Sequence, residues 1–275
     1  MTRYNRHFTK IDNIALSYVD IRPNTEKVIF FVHGNGNSAD LWYPQLSCPL
    51  FDDYRLIAID LPSHAQSEDA PKHSISFLGD VVAKFITTVT DSASLILVGL
   101  SLGGNIVSEM LRSIASPKGI VIVSSALVGD EIAVSDIPIN ELVGKVLFSD
   151  SATDKEIRDY FDGVLKHGSV TERAMLLEDY QCVSSVFRRE YPLSIQRGEY
   201  SNEIALVRNA GAPMLFMVGE NDEVIPPYLL KKVSLLLWKD KFHTFKDAGH
   251  FVNLDKPQAF NHLLSDYCNT IHTRL

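Results

Sequence analysis

Residues 95–105 read Leu-Ile-Leu-Val-Gly-Leu-Ser-Leu-Gly-Gly-Asn and contain the pattern G-x-S-x-G, with Ser101 at its centre. The apolar run Leu95–Val98 predicts a strand that is buried on both faces. Apolar residues at helical spacing follow from Asn105 to Ile114, so Ser101 is expected at a sharp strand-to-helix turn. Glycines beside such a turn let neighbouring backbone approach without a Cβ clash.

This pattern around Ser101 has two interpretations. A serine flanked by glycines is common as a helix cap. At the end of a strand, however, it also suits a nucleophile, because the helix dipole there favours developing negative charge. The position after a buried strand favours the nucleophile.

Further apolar runs of strand length predict a sheet around Leu95–Val98. They do not alternate with polar residues, which is typical of parallel strands covered on both faces. These runs are Val28–Val32, Leu56–Ile59, Ile120–Val123 and Leu215–Val218. Helical patterns such as Phe77–Thr88 lie between them, so we expect an α/β fold with a mostly parallel sheet and helices on both faces.

The two ends of the chain add further elements to this sheet. Ile14–Val19 is interpreted as an antiparallel edge strand that precedes the parallel part. Phe242–Phe245 is interpreted as a short last strand, followed by a helix over about residues 256–271.

The regular alternation of strands and helices stops between about Leu127 and Asn209. This stretch is either a second helical layer on the sheet or a helical cap over its carboxyl end. We favour the cap, because ordinary crossovers are much shorter. The expected organisation is a core of residues 1–126 and 210–275 with a cap of residues 127–209 inserted in it. Three helices are predicted in the cap, at Ile137–Leu147, Asp154–Leu165 and Thr171–Phe187.

A Gly- and Asn-rich loop, His33-Gly34-Asn35-Gly36, follows the strand Val28–Val32. Acyl transfer needs two N–H donors for the oxyanion of its tetrahedral intermediate. The expected pair is the backbone N–H of Asn35 and that of Leu102, with His33 orienting the turn. The alternative is an ordinary turn in which Ser38 caps the next helix, and the two functions are compatible.

Two loops near the carboxyl ends of later strands offer an acid and a base. Asp222 follows Leu215–Val218 and is the first choice for the acid, with the adjacent Glu223 as the alternative. Both also suit a solvated turn. His250 follows the last predicted strand and a glycine. The chain order Ser, Asp, His is the order expected for a triad on this kind of sheet.

Composition and motifs exclude several classes of function. The formal net charge of −8 disfavours nucleic acid. Three distant cysteines suggest no disulfide framework. No signal peptide or membrane span is evident, so a cytoplasmic protein is expected. Metal-binding and phosphate-loop patterns are also missing, so no metal and no cofactor are expected.

Together these segments resemble the α/β-hydrolase superfamily over nearly the whole chain. The matching stretches are 33–36, 60–67, 99–104, 219–226 and 249–250, all in the family's order. The resemblance implies a mostly parallel eight-stranded sheet and a helical lid. Two positions depart from it, since Ser63 and Ala65 stand where the family usually has glycine. Serine at position 101, rather than aspartate, argues against dehalogenases and epoxide hydrolases.

In finer detail the chain resembles bacterial carboxylesterases and acyl-homoserine lactonases of this fold. By that likeness Tyr160 is a candidate for a hydrogen bond to substrate. Trp42 and Phe251 are candidates for an acyl pocket, with the core as their alternative. The expected activity is hydrolysis of a small carboxylic ester or lactone through an acyl-enzyme on Ser101, by a monomer or homodimer. The alternatives are a carbon–carbon bond hydrolase and a non-catalytic ligand receptor.

Overall fold

The computed structural model describes residues 4–114, 116–230 and 233–273. Within them, eight strands form one sheet in the order β1-β2-β4-β3-β5-β6-β7-β8. The strands are β1 (His7–Ile11), β2 (Ile14–Ile21), β3 (Val28–Val32), β4 (Arg55–Ile59), β5 (Leu95–Leu100), β6 (Gly119–Val123), β7 (Met214–Gly219) and β8 (His243–Phe245). Strands β3 to β8 are mutually parallel, so the predicted α/β architecture is confirmed.

The edge of the sheet differs from the sequence-based expectation. Ile14–Val19 lies in β2, which pairs antiparallel with β4 as expected, but β1 pairs with its other side and is the true edge strand. The prediction of β2 as the edge was therefore wrong. Strand β1 escapes a search for buried runs because four of its five residues keep contact with solvent.

The central strands are apolar at every position because both faces of the sheet are covered. Side chains alternate between the faces, so Val28, Phe30 and Val32 join one apolar cluster, while Ile29 and Phe31 join the other. Helices pack on both clusters. Within the described residues they are α1 (Tyr43–Leu46), α2 (Ile75–Val89), α3 (Leu102–Met110), α4 (Glu141–Phe148), α5 (Asp154–Val164), α6 (Val170–Gln181), α7 (Ser185–Gln196), α8 (Glu203–Asn209), α9 (Pro227–Leu230), α10 (Val252–Asp255) and α11 (Pro257–Thr273).

Helices α4 to α8 lie between β6 and β7, where the sequence predicts the cap. The expected single helix Thr171–Phe187 is instead two, because α6 ends at Gln181 and the side chain of Ser184 caps α7. The last helix, α8, packs on α3 of the core. The division into a core and a cap stays a prediction.

Across these same described stretches, no helix is long and apolar enough to cross a membrane.

Candidate active site

Ser101 lies at the tight turn between β5 and α3. Its backbone has φ +53° and ψ −122°, in the left-handed region that side chains rarely adopt. The turn is held because Ser101 N donates to Val123 O at 2.9 Å and Gly104 N donates to Ser101 O at 2.8 Å. Such a backbone persists only where its surroundings impose it, and here two strands and a helix do so.

The glycines of G-x-S-x-G are required by close backbone approach. A Cβ on Gly103 would stand 2.2 Å from Val32 O, and one on Gly99 would stand 2.2 Å from Gly103 O. Neither backbone atom has room to move away, because each belongs to a packed strand or helix. The physical reason inferred from the sequence for this spacing is therefore confirmed.

Asp222 and His250 form a buried pair at the carboxyl ends of β7 and β8. His250 Nδ1 lies 3.0 Å from Asp222 Oδ1 and 2.9 Å from Oδ2. Asp222 Oδ1 also accepts the N–H groups of Val224 and Ile225, both at 2.9 Å, which fixes the carboxylate. A carboxylate can only accept, so His250 Nδ1 carries the proton and Nε2 keeps a lone pair for use as a base.

Glu223, the alternative acid, turns away from His250. Its side chain is 63% exposed and pairs with Lys166 Nζ at 3.1 Å. The sequence left the choice open because the two carboxylates are adjacent, whereas the turn separates them into a buried one and a solvated one.

The loop after β3 brings Asn35 to the same cavity as Ser101 and Leu102. The Asn35 side chain donates to Leu147 O at 2.8 Å, which ties this loop to α4. His33 Nε2 accepts Leu61 N at 2.9 Å, and its Nδ1 lies 2.8 Å from Gly34 O. Burial lowers the pKa of His33 to about 3, so the ring is neutral and orients the turn, as expected.

The loop of residues 60–67 keeps a left-handed backbone without the glycines of the family. Ser63 has φ +67° and Ala65 has φ +47°. Ser63 gains a partial compensation, because its hydroxyl accepts Ala70 N at 3.0 Å. For the Ala65 side chain no hydrogen bond of this kind is possible, so its conformation is strained at some cost in stability.

A cavity of about 310 Å³ opens beside Ser101, and most of its wall is apolar. Its wall comes from both the sheet end and the segment between β6 and β7. Among its lining residues are Asn35, Ile75, Ser101, Leu102, Asn105, Ser125, Val128, Val134, Ile137, Ile139, Leu147, Phe148, Tyr191, Ile195, Tyr200, Val224 and Ile225. Ile137 and Ile139 were predicted to lie in a helix that starts at Ile137, but α4 starts only at Glu141, so the stretch before it forms part of the wall instead.

Trp42, Tyr160 and Phe251 are buried away from this lining. The Trp42 ring packs on Phe31, with ring centres 5.0 Å apart, and Phe251 packs on Phe161 and His250. For both residues the structure supports the core alternative. Tyr160 packs on Phe161, with ring centres 5.2 Å apart, and burial and the nearby Asp222 raise the pKa of its hydroxyl.

One further group of contacts, which the sequence did not predict, ties the loop that carries His250 to the end of α5. We call residues 164–167 together with Asp255 the base clamp. His250 N donates to Val164 O at 2.9 Å. The two oxygens of the buried Asp255 accept Gly249 N at 2.8 Å and His167 N at 2.6 Å. No sequence signal marks these contacts, since the partners of the clamp are up to 88 residues apart.

A metal centre has no candidate in this structure: no three His, Cys, Asp or Glu side chains of residues 4–114, 116–230 and 233–273 are grouped so as to hold an ion.

A sequence profile described as the alpha/beta hydrolase family matches residues 29–263. Among curated relatives, the dihydrolipoyllysine-residue acetyltransferase component of the acetoin cleaving system of Cupriavidus necator is 25% identical over 272 residues. That alignment covers 94% of this chain and 68% of the relative.

Solved structures share the whole fold. The N-acyl homoserine lactonase AidH, complexed with N-butanoyl homoserine, superposes with a TM-score of 0.88 at 22% identity, covering 98% of each chain. A thermophilic esterase from Thermogutta terrifontis has a TM-score of 0.75 at 18% identity, covering 98% of this chain and all of the esterase. At this identity the likeness shows the fold alone. The profile, however, matches well over half of the sequence, and the chain belongs to the alpha/beta hydrolase family.

Proposed function

We propose that this protein is a serine hydrolase that cleaves a small carboxylic ester or lactone through an acyl-enzyme on Ser101. The observation that carries the proposal is the buried Asp222–His250 pair, in which Nδ1 of the imidazole faces the carboxylate and Nε2 is the ring nitrogen left to act as a base. The same edge of the sheet carries Ser101 on a strained turn, with the apolar cavity beside it. A nucleophile, a base oriented by a carboxylate and an acyl-sized cavity are the parts that acyl transfer needs.

In the first half-reaction, His250 Nε2 takes the Ser101 proton as Oγ attacks the carbonyl carbon. The carbonyl oxygen becomes an oxyanion, which the N–H groups of Leu102 and Asn35 stabilise in our proposal. When the C–O bond to the leaving group breaks, His250 returns the proton to the departing alkoxide. For a lactone the alkoxide stays attached to the acyl chain.

In the second half-reaction, a water molecule attacks the acyl-enzyme while His250 takes its proton. The collapse of the second tetrahedral intermediate expels Ser101 Oγ, which regains the proton, and releases the acid. Throughout, Asp222 holds Nδ1–H and stabilises the imidazolium.

The apolar wall of the cavity supports an acyl chain as the bound group, because apolar surface gains free energy by leaving water. A lactonase and an esterase have the same fold, so this architecture is compatible with lactone and ester substrates. We also propose that the segment 127–209 acts as a cap, since many of the residues that line the cavity, from Val128 at one end to Tyr200 at the other, belong to it. Helix α8 at its end serves as a crossover onto α3.

The test is hydrolysis of p-nitrophenyl esters of graded acyl length and of one acyl-homoserine lactone by wild type and by Ser101→Ala. Turnover that is lost in Ser101→Ala supports the proposal, and the chain-length profile measures the usable depth of the cavity. A folded wild type that is inert toward every compound contradicts it. Spectral loss of a dienol diketone substrate would then support a carbon–carbon hydrolase, and tight binding without turnover a receptor.

A further inference from the structure

Asn105 and Ser125 are among the polar side chains that interrupt the apolar wall of the cavity. Asn105 lies one helical turn after Ser101, with Asn105 N donating to Ser101 O at 3.4 Å. Ser125 follows β6 by two residues and is almost completely buried. Both line the cavity. Polar groups in such a wall are costly unless a ligand or another side chain binds them, so their partners define what the cavity accepts.

The orientation of the Asn105 amide is fixed by its neighbours. Its Nδ2 donates to Ala126 O at 2.8 Å and to Glu203 Oε2 at 2.7 Å. The Ala126 carbonyl can only accept, so the atom facing it must be the nitrogen. Both amide hydrogens are therefore used within the protein, and Asn105 Oδ1 is the atom left to accept.

The partner of Asn105 Oδ1 within the protein is weak. Ser125 Oγ lies 3.5 Å away, at the limit of a hydrogen bond. The Ser125 hydroxyl can both donate and accept, so it can turn toward a ligand without losing a strong bond. Together the two side chains present an acceptor and an adaptable hydroxyl to the cavity.

Glu203 supports this arrangement from behind the wall. The residue is fully buried, and its Oε2 also accepts Val128 N at 3.0 Å. Its Oε1 is buried without a hydrogen-bond partner among the described residues. Burial raises the pKa of Glu203 to about 8, so the carboxyl is neutral at pH 7 and favours an uncharged ligand group over an anion or a cation.

We propose that Asn105 and Ser125 form a hydroxyl-binding subsite, and that the preferred acyl group carries a hydroxyl on the second carbon beyond its carbonyl. The inference rests on the proposed acyl-transfer function and adds a substrate class to it. A hydroxyl donates to Asn105 Oδ1 and accepts from Ser125 Oγ. An oxo group at the same carbon can only accept, so it leaves Asn105 Oδ1 unpaired.

The reach of the subsite sets the position of the hydroxyl. Asn105 N donates to Ser101 O at 3.4 Å, so Asn105 lies directly beside the Ser101 turn, and helical side chains lean toward the N-terminus of their helix. Both residues line the same cavity. We therefore place the bound hydroxyl a short way along the acyl chain, on the second carbon beyond the carbonyl.

The test measures binding separately from turnover. Ser101→Ala protein is titrated with ethyl hexanoate, ethyl 3-hydroxyhexanoate and ethyl 3-oxohexanoate, followed by ligand-observed NMR. We expect the hydroxy ester to bind roughly three- to tenfold more tightly than the other two, the effect of one neutral hydrogen bond. Equal or weaker binding of the hydroxy ester, or equally tight binding of the oxo ester, overturns the subsite.

Second variants locate the effect. In Ser101→Ala/Ser125→Ala and Ser101→Ala/Asn105→Ala the preference for the hydroxy ester is expected to fall to about twofold or less. Ser101→Ala/Ile139→Ala alters an apolar residue at the half-exposed mouth of the same cavity and should keep the preference. A preference that survives both polar substitutions contradicts our assignment.

Turnover of the same esters by wild type, followed by titration of released acid, reports on the proposed function independently. Selective binding without turnover leaves the subsite standing and overturns the hydrolase. Turnover without a preference for the hydroxy ester supports the hydrolase and overturns the subsite.

Discussion

The turn that carries the proposed nucleophile and the loops that carry the proposed acid and base lie at the same edge of the sheet, but they are built in different ways. The turn is formed by one continuous stretch, residues 95–105, packed on its neighbouring strands. The proposed acid and base come from loops after β7 and β8, and the second of these loops is tied to the end of α5 through the base clamp. Local glycines determine the first, and contacts distant in sequence determine the second.

The two regions are therefore sensitive to different substitutions. A side chain added at Gly99 or Gly103 must disturb the core itself, because a backbone oxygen lies 2.2 Å from either added Cβ. Substitutions in the base clamp can shift His250 while leaving the turn and the sheet intact. The two regions should therefore be separable by experiment, through stability for the first and through kcat for the second.

The largest expected effect concerns the acid. Asp222→Asn keeps the oxygen that binds Val224 N and Ile225 N, but it offers an amide to His250 and favours the wrong tautomer. We expect kcat to fall by roughly 10⁴-fold. Glu223→Gln is the matched control, since that side chain is solvated, and it should stay within about threefold of wild type in a p-nitrophenyl ester assay. A larger loss in Glu223→Gln would reverse the assignment of the acid.

Next in size is the packing of the turn. Gly103→Ala would place a methyl group 2.2 Å from Val32 O, so the free energy of unfolding should fall by about 3 kcal/mol or more. Gly163→Ala in α5 is the control, because nothing lies within 4 Å of its added Cβ. The control should gain about 0.5–1 kcal/mol from helix propensity. Urea denaturation checks both, and equal stability of the two variants would refute the close-approach argument.

The base clamp should show a smaller, kinetic effect. Asp255→Asn leaves one oxygen for two N–H donors, Gly249 N and His167 N, so the loop before His250 loses its fixed position. We expect kcat to fall roughly tenfold to a hundredfold with KM little changed.

Asp162→Asn is the matched control for the clamp, because this carboxylate lies on α5, close to the clamp, but is 66% exposed and pairs with Arg173 at the surface. It should alter kcat by less than about twofold. Equal effects in the two variants, or a loss of Asp255→Asn activity that follows its melting curve, would mean that the clamp stabilises without positioning.

Acid sensitivity is expected from the histidines beneath the turn. Burial lowers the pKa of His33 and of His64 from 6.5 to about 3. Below pH 6.5 these histidines bind protons in the unfolded chain but stay neutral in the folded chain. Their contribution to the free energy of unfolding is therefore complete above pH 6.5 and is lost toward pH 3.

Between pH 6 and 4, His64→Gln should therefore reduce the slope of the unfolding free energy against pH by about 1.4 kcal/mol per pH unit, which corresponds to one proton taken up on unfolding. The raised pKa values of Asp179 and Glu203, each about 8, act in the opposite sense as pH rises, and they are common to both proteins. Parallel pH curves for the variant and wild type would contradict a neutral, buried His64.

The smallest effect concerns the glycine-free loop. Ala65→Gly removes a left-handed strain of about 1–2 kcal/mol but adds chain entropy to the unfolded state, so a net gain of about 0.5 kcal/mol is expected. Ser63→Gly should gain less, because it also loses the bond from Ala70 N. Thermal melting resolves the order, and a destabilised Ala65→Gly would refute the strain.

Most of the sheet and the turn at Ser101 could be predicted from the sequence. Strands β3 to β7 and the helix after β5 were predicted because buried parallel strands are apolar throughout, and G-x-S-x-G marked the turn at once. The edge strand β1 and the break between α6 and α7 were missed, because an exposed strand and a short capped loop leave weak patterns. Asp222 was distinguishable from Glu223 only through burial, and the base clamp only through contacts between distant residues.

Covalent labelling by diethyl p-nitrophenyl phosphate, followed by mass spectrometry of the digested protein, tests directly whether Ser101 is an activated nucleophile. We expect one diethylphosphoryl adduct on Ser101, formed rapidly by wild type and by Glu223→Gln and slowly by Asp222→Asn. An adduct on another residue, or a folded wild type that stays unlabelled, would contradict Ser101 as a nucleophile activated by His250 and Asp222.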